Sequence, residues 1–199
     1  MSNTQIDKAS LERKTLETRI RMSIEYGSDE PSGLFGKSGV GFFDHMLNSF
    51  AVHSGARISL EVSGDLYVDC HHTIEDVGIV LGKLLHEIVQ KRGKITRYGC
   101  SYIPMDEALA RAVIDVSGRS YLVFDYEPKA PMIGTYDAQM TKEFFRAVAF
   151  NMGATLHISL LYGQNDHHAV EAIFKAFAHS LKDALQPIDG AILSAKGVL

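Results

Sequence analysis

The chain has no tryptophan, only two cysteines and five prolines, and no apolar stretch free of polar side chains long enough to cross a bilayer. Each scarcity excludes something. With Cys70 and Cys100 alone, and a polar N-terminus with no cationic segment followed by an apolar one, a disulfide framework and a secretory leader are not expected, and the cytoplasm is the expected compartment. Cys70 is read as a small buried hydrophobe, although it stands beside His71. The longest uncharged run, residues 147–165, carries Asn151, His157, Ser159, Gln164 and two glycines, which a membrane would not tolerate. Charge of one sign is lacking too. A net charge of -4 with the signs interspersed gives neither a basic stripe for nucleic acid nor a polybasic segment for lipid, so both are excluded as partners.

What is present is histidine in a pattern. Four of the nine histidines sit in two copies of one tetrad, His71-His72-Thr73-Ile74-Glu75 and His167-His168-Ala169-Val170-Glu171. On a helix, His71 and Glu75 share a face, while His72 is turned away by about 100°. One ion cannot easily take both vicinal imidazoles, so each pair suits two different ions, and two such pairs with two glutamates supply ligands for a two-metal site. Imidazole and carboxylate without thiolate favour manganese or iron in open coordination over a closed structural zinc site.

The tetrads belong to a wider duplication. Residues 49–58 align with 147–156, pairing Gly55 with Gly153, and residues 17–25 align with 107–115, pairing Arg21 with Arg111. Two tandem repeats, about 12–92 and 101–185, then form one catalytic domain spanning residues 1–199. In each repeat the spacing predicts, in order, a half-buried strand, a helix ending before the paired glycine, a second strand and a long helix opened by the tetrad. Leu16, Ile20, Met22, Ile24 and Tyr26 mark the first strand; residues 44–53 and 141–152 the shorter helices; 70–91 and 166–185 the longer ones. The fold class is α+β, each half a two-layer sheet with helices on one face.

The same alignment sets His45 against Glu143. The candidate metal ligands become His45, His71, His72, Glu75, Glu143, His167, His168 and Glu171, four per ion, which leaves open positions for substrate or water. His157 aligns with Ser59 and is read as a supporting or core residue, and His53, His86 and His179 as structural. From the residues alone, the site fits a two-metal hydrolase of small phosphorylated substrates or a metal staple between subunits.

Along nearly its whole length the chain resembles the imidazoleglycerol-phosphate dehydratases of histidine biosynthesis. The resemblance rests on Gly41-Phe42-Phe43-Asp44-His45-Met46-Leu47, Asp69-Cys70-His71-His72-Thr73-Ile74-Glu75-Asp76, Arg97-Tyr98-Gly99, Pro104-Met105-Asp106-Glu107-Ala108, Asp115-Val116-Ser117-Gly118-Arg119 and Asp166-His167-His168-Ala169-Val170-Glu171. It implies a duplicated left-handed βαβ fold like that of ribosomal protein S5 domain 2. It also implies two manganese ions per active site, holding the substrate ring as imidazolate, and dehydration of imidazole glycerol phosphate to imidazole acetol phosphate. Self-association into a cage of about 24 copies with shared active sites is implied as well. Some relatives carry histidine at the position of Glu143. The implied proton carrier is Glu171, Glu17 or Asp106; the implied substrate-binding residues are Glu17, Arg97, Arg119, Ser194 and Lys196.

Overall fold

A computed structural model describes residues 6–189; Ser194 and Lys196 lie outside the described residues. The first half contains β1 (Asp7–Lys14), β2 (Thr18–Tyr26), β3 (Gly33–Lys37), α1 (Gly41–Ser54), β4 (Arg57–Gly64) and α2 (His71–Arg92). The second contains β5 (Tyr98–Met105), β6 (Ala108–Asp115), β7 (Tyr121–Asp125), the short hairpin β8 (Met132–Ile133) and β9 (Tyr136–Asp137), α3 (Met140–Met152), β10 (Thr155–Tyr162) and α4 (Asp166–Ala184). The sheets run β1-β2-β4-β3 and β5-β6-β10-β7. In each, an antiparallel hairpin continues into a βαβ unit: β3 and β4 are parallel around α1, as β7 and β10 are around α3.

Alternation explains the strands. Ile20, Met22, Ile24 and Tyr26 of β2 are buried, while Arg19 and Arg21 face outward. Leu16 departs from its expected place on that inner face and is fully exposed in the β1–β2 turn. The Thr15 hydroxyl accepts the backbone N–H groups of Glu17 (3.1 Å) and Thr18 (2.9 Å), which closes the turn before the strand begins. Both shorter helices stop as expected, at Gly55 (φ 75°) and Gly153 (φ 76°), in the left-handed conformation that costs glycine least.

Each sheet carries helices on one face only. α2 lies on β1 and β2, and α4 on β5 and β6; the halves then meet through their helices, α2 against α3 and α1 against α4. Phe144, Phe145, Phe174 and Phe177 interlock at the centre, with Phe50 stacked on Phe177 at 5.5 Å. This pseudo-symmetric helix layer is what brings the N-terminal turns of α1 and α4 together. No helix among the described residues is long and apolar enough to cross a membrane. His157, expected as a supporting or core residue, is exposed on β10, between the buried Leu156 and Ile158. The other three spare histidines have partners outside the tetrads: His86 Nδ1 lies 3.1 Å from the Met152 carbonyl, and His53 Nδ1 lies 3.1 Å from His179 Nε2.

Candidate metal centre

Both tetrads open a helix, and each is held there by a side chain two residues upstream of its first histidine. Asp69 Oδ1 accepts the backbone N–H of His71 (2.7 Å), and Asn165 Oδ1 that of His167 (2.9 Å). The vicinal rings diverge as the helical turn requires, by 74° for His71 and His72 and by 80° for His167 and His168, with centroids 6.0 and 6.1 Å apart.

The α1–α4 contact assembles three candidate ligands. Glu171 Oε2 lies 3.4 Å from both His45 Nε2 and His167 Nε2, and one ligand atom from each residue falls within 4.8 Å of the others. Donors bound at about 2.1 Å and at right angles stand about 3 Å apart, so the trio fits three neighbouring positions around one divalent ion. Glu171 is buried, and Lys175 Nζ holds its other oxygen at 2.7 Å. Burial acts to raise the Glu171 carboxyl, but the Lys175 ammonium and His45 outweigh it and hold the group below the ordinary carboxylate range.

The related group in the first half is more open. His71 Nε2 and Glu75 Oε2 are 3.6 Å apart, while Glu143, on α3, turns its Oε2 to Arg146 at 3.4 Å. Among the described residues, no second trio closes as tightly as the first.

His72 and His168 belong to neither group. His72 Nδ1 meets Asp65 Oδ2 at 2.9 Å, and His168 Nδ1 meets Glu107 Oε2 at 2.7 Å. Those carboxylates raise both imidazoles above their usual value. A carboxylate on Nδ1 fixes the tautomer and leaves Nε2 as the free donor, the support that metal-binding histidines commonly have. Glu107 also accepts the backbone N–H groups of Gln164 and Asn165; His168 and these amides together pull its carboxyl down to about 2. Asp65 and Glu107 were absent from the sequence expectations, yet Glu107 carried a signal, since it aligns with Glu17. Glu17 and Asp106, the proton-carrier candidates besides Glu171, are exposed at the tips of the two hairpins. Glu17 lies near enough to His72 to raise it, and Asp106 Oδ2 is 3.6 Å from His168 Nε2. Replacing Glu107 with alanine is expected to weaken any divalent ion held through His168 by about 10- to 100-fold in a metal titration; an unchanged affinity would contradict this supporting role.

A sequence model of the family described as Imidazoleglycerol-phosphate dehydratase matches residues 38–181. The chain belongs to the imidazoleglycerol-phosphate dehydratase family. It is 49% identical over 194 residues to the Imidazoleglycerol-phosphate dehydratase of Bacillus cytotoxicus, covering 96% of this chain and 98% of that one. The crystal structure of the dehydratase from Staphylococcus aureus superposes with a TM-score of 0.81 at 44% identity, over 91% of this chain and 99% of that one. That of the Pyrococcus furiosus dehydratase, in complex with (S)-C348, gives 0.82 at 35% identity, over 95% and 100%. Membership of the imidazoleglycerol-phosphate dehydratases makes the chain a hydro-lyase, and the superpositions bear out the duplicated α+β fold of two βαβ-type halves.

Arg97 and Arg119, the anion-binding residues expected of a dehydratase, converge on one carboxylate. Arg97 is buried, with Nε 2.7 Å from Asp115 Oδ1, and the exposed Arg119 approaches Asp115 Oδ2 at 3.6 Å. Asp115 ends β6, whereas Glu107 and His168 stand beyond its beginning. The seven steps of this eight-residue strand separate its two ends by about 23 Å.

Proposed function

We propose that the chain removes water from imidazole glycerol phosphate to give imidazole acetol phosphate, using two divalent metal ions, manganese by preference, in each active site. The observation that carries this reading is the His45–His167–Glu171 trio, a three-donor fit for one divalent ion in a chain of this family. When bound, the ions would supply Lewis acidity and a template that holds the substrate's ring as imidazolate. His45, His167 and Glu171 would bind one ion and His71, Glu75 and Glu143 the other, with Glu143 turning from Arg146.

His72 and His168, fixed by Asp65 and Glu107 with Nε2 free, would complete the ion positions of another copy of the chain. The span of β6, about 23 Å, supports sharing, because the substrate is much shorter than the distance from Asp115, where Arg97 and Arg119 meet, to the opposite end of the strand beside Glu107 and His168. A large homo-oligomer would place the arginines of one copy over the ligands of another.

Water loss requires one carbon to give up its proton while the hydroxyl of its neighbour departs, and the enol so formed becomes the ketone. Both Glu171 oxygens are engaged, one by Lys175 and one by the two imidazoles, which leaves Glu17 and Asp106, exposed beside His72 and His168, as the better proton carriers. Arg97 and Arg119 would hold the phosphate, the first set rigidly by Asp115 and the second free to close. Arg119→Ala is accordingly expected to raise KM by about 10- to 100-fold with kcat changed little, since phosphate binding is used equally in ground and transition states; a loss confined to kcat would contradict it.

The test is product analysis on the manganese-loaded chain. Ketone formation from imidazole glycerol phosphate without release of phosphate supports the dehydratase. Phosphate release without ketone would point to a hydrolase, and no turnover with two ions bound to a metal staple.

A further inference from the structure

The two ligand groups differ in charge. In the His45–His167–Glu171 trio the single carboxylate is matched by Lys175, 2.7 Å away, and both side chains are nearly dry, at 9% and 17% exposure. The residue at the corresponding place in the first half, four beyond Glu75, is Ile79, so that half has no such lysine. His71, Glu75 and Glu143 instead offer two carboxylates, and the cation set against Glu143 is the exposed Arg146.

A buried ammonium repels an incoming dication strongly, because little water screens it, while an exposed ion pair such as Arg146–Glu143 has little hold. Preformed geometry works the other way, since the trio is assembled and Glu143 has to turn. That turn costs one rotamer of a partly exposed side chain, a smaller effect than a charge in a dry site. Lys175 thus has two consequences. It keeps buried Glu171 ionised and aimed at the two imidazoles before an ion arrives, and it weakens the hold on the ion afterwards.

Resting on the two-ion reading above, we infer that the two ions are held unequally: the His71–Glu75–Glu143 position binds its ion at least about tenfold more tightly, and Lys175 is what loosens the ion at His45, His167 and Glu171.

The experiment starts from the manganese-loaded full chain, dialysed against chelator buffers of rising strength, with manganese counted per chain. The expected curve loses one ion, pauses at a plateau of one per chain, and then loses the second. Glu143→His keeps a donor but removes the additional charge, and should shorten the plateau by releasing the second ion at about tenfold weaker chelation. Lys175→Met keeps the apolar stem and should shorten it from the other side, retaining the first ion to about tenfold stronger chelation. Simultaneous loss of both ions from the native chain would overturn the inference. So would a plateau unchanged by both substitutions, the result of mutual repulsion between two equivalent ions, or a Lys175→Met chain that loses its first ion sooner. Fewer than two ions per chain at the start would strike the two-ion reading itself.

Discussion

His167→Ala is expected to lower kcat/KM by about 10³-fold or more and to leave one manganese ion per chain instead of two. His167 is one of three candidate donors that converge on a single position, and its ring is seated edge-on against Phe42 at 5.0 Å, so no neighbour can replace it without rebuilding the helix start. On the proposed reading, loss of the ion would remove both a hold on the substrate's ring and the stabilisation of developing charge, so the fall should appear in kcat as well as in KM. His86→Ala is the control. Its ring packs on the Met152 carbonyl, and both metal content and kcat should stay near native. Metal analysis with steady-state kinetics decides the matter; equal effects of the two substitutions would contradict the ligand assignment.

Gly99→Ala is expected to be the most damaging of the small core changes. Gly99 lies on β5 where α4 crosses it, and a Cβ there would stand 1.8 Å from the Ser180 carbonyl oxygen and 3.2 Å from the Ala184 amide nitrogen. Neither neighbour is a side chain that can rotate away, so the helix would have to lift from the strand. A loss of about 3 kcal/mol or more follows, seen as a fall in Tm of about 10 °C. Because α4 also carries His167, His168 and Glu171, metal content should fall with stability, and both should recover together in low temperature assays. A native Tm would mean that α4 sits farther from β5 than the structure has it.

The sequence was most legible where a strand is paired on both of its edges. β2, β4, β6 and β10 are the central strands of their sheets, and their alternation is visible in the residues. The four strands the sequence reading left out, β1, β3, β5 and β7, are the four edges. An edge strand is paired on one side only, and its pattern is diluted: β1 buries Ala9 alone, β3 contains two glycines, and β7 alternates exposed with half-buried side chains. The β8–β9 hairpin was also missed, having no counterpart in the first half to reveal it.

The site followed the same division. The tetrads were legible because a spacing of four residues has one meaning on a helix, and the duplication led to His45. The duplication also led to Glu143, which the structure turns to Arg146 rather than to His71. Lys175 stands four residues beyond Glu171 on one face of α4, a spacing the sequence does carry, but Asp65 and Glu107 were not legible as supports, because what makes them so is a hydrogen bond across elements: from the end of β4 to α2 and from the β5–β6 turn to α4. Spacing within one segment does not encode such contacts. The convergence of Arg97 and Arg119 on Asp115, far from the ligands of their own chain, likewise depends on the register of β6.

The proposed chemistry depends on active sites shared between copies. The most direct measurement mixes two inactive chains, His72→Ala and His167→Ala, co-assembled in equal amounts and assayed for ketone formation. If one copy supplies His72 and another supplies His167 to the same ion, random assembly leaves about a quarter of the sites intact, and activity should return to roughly that fraction of native. Activity no higher than that of either variant alone, from a mixture shown to contain both chains in one particle, would contradict it.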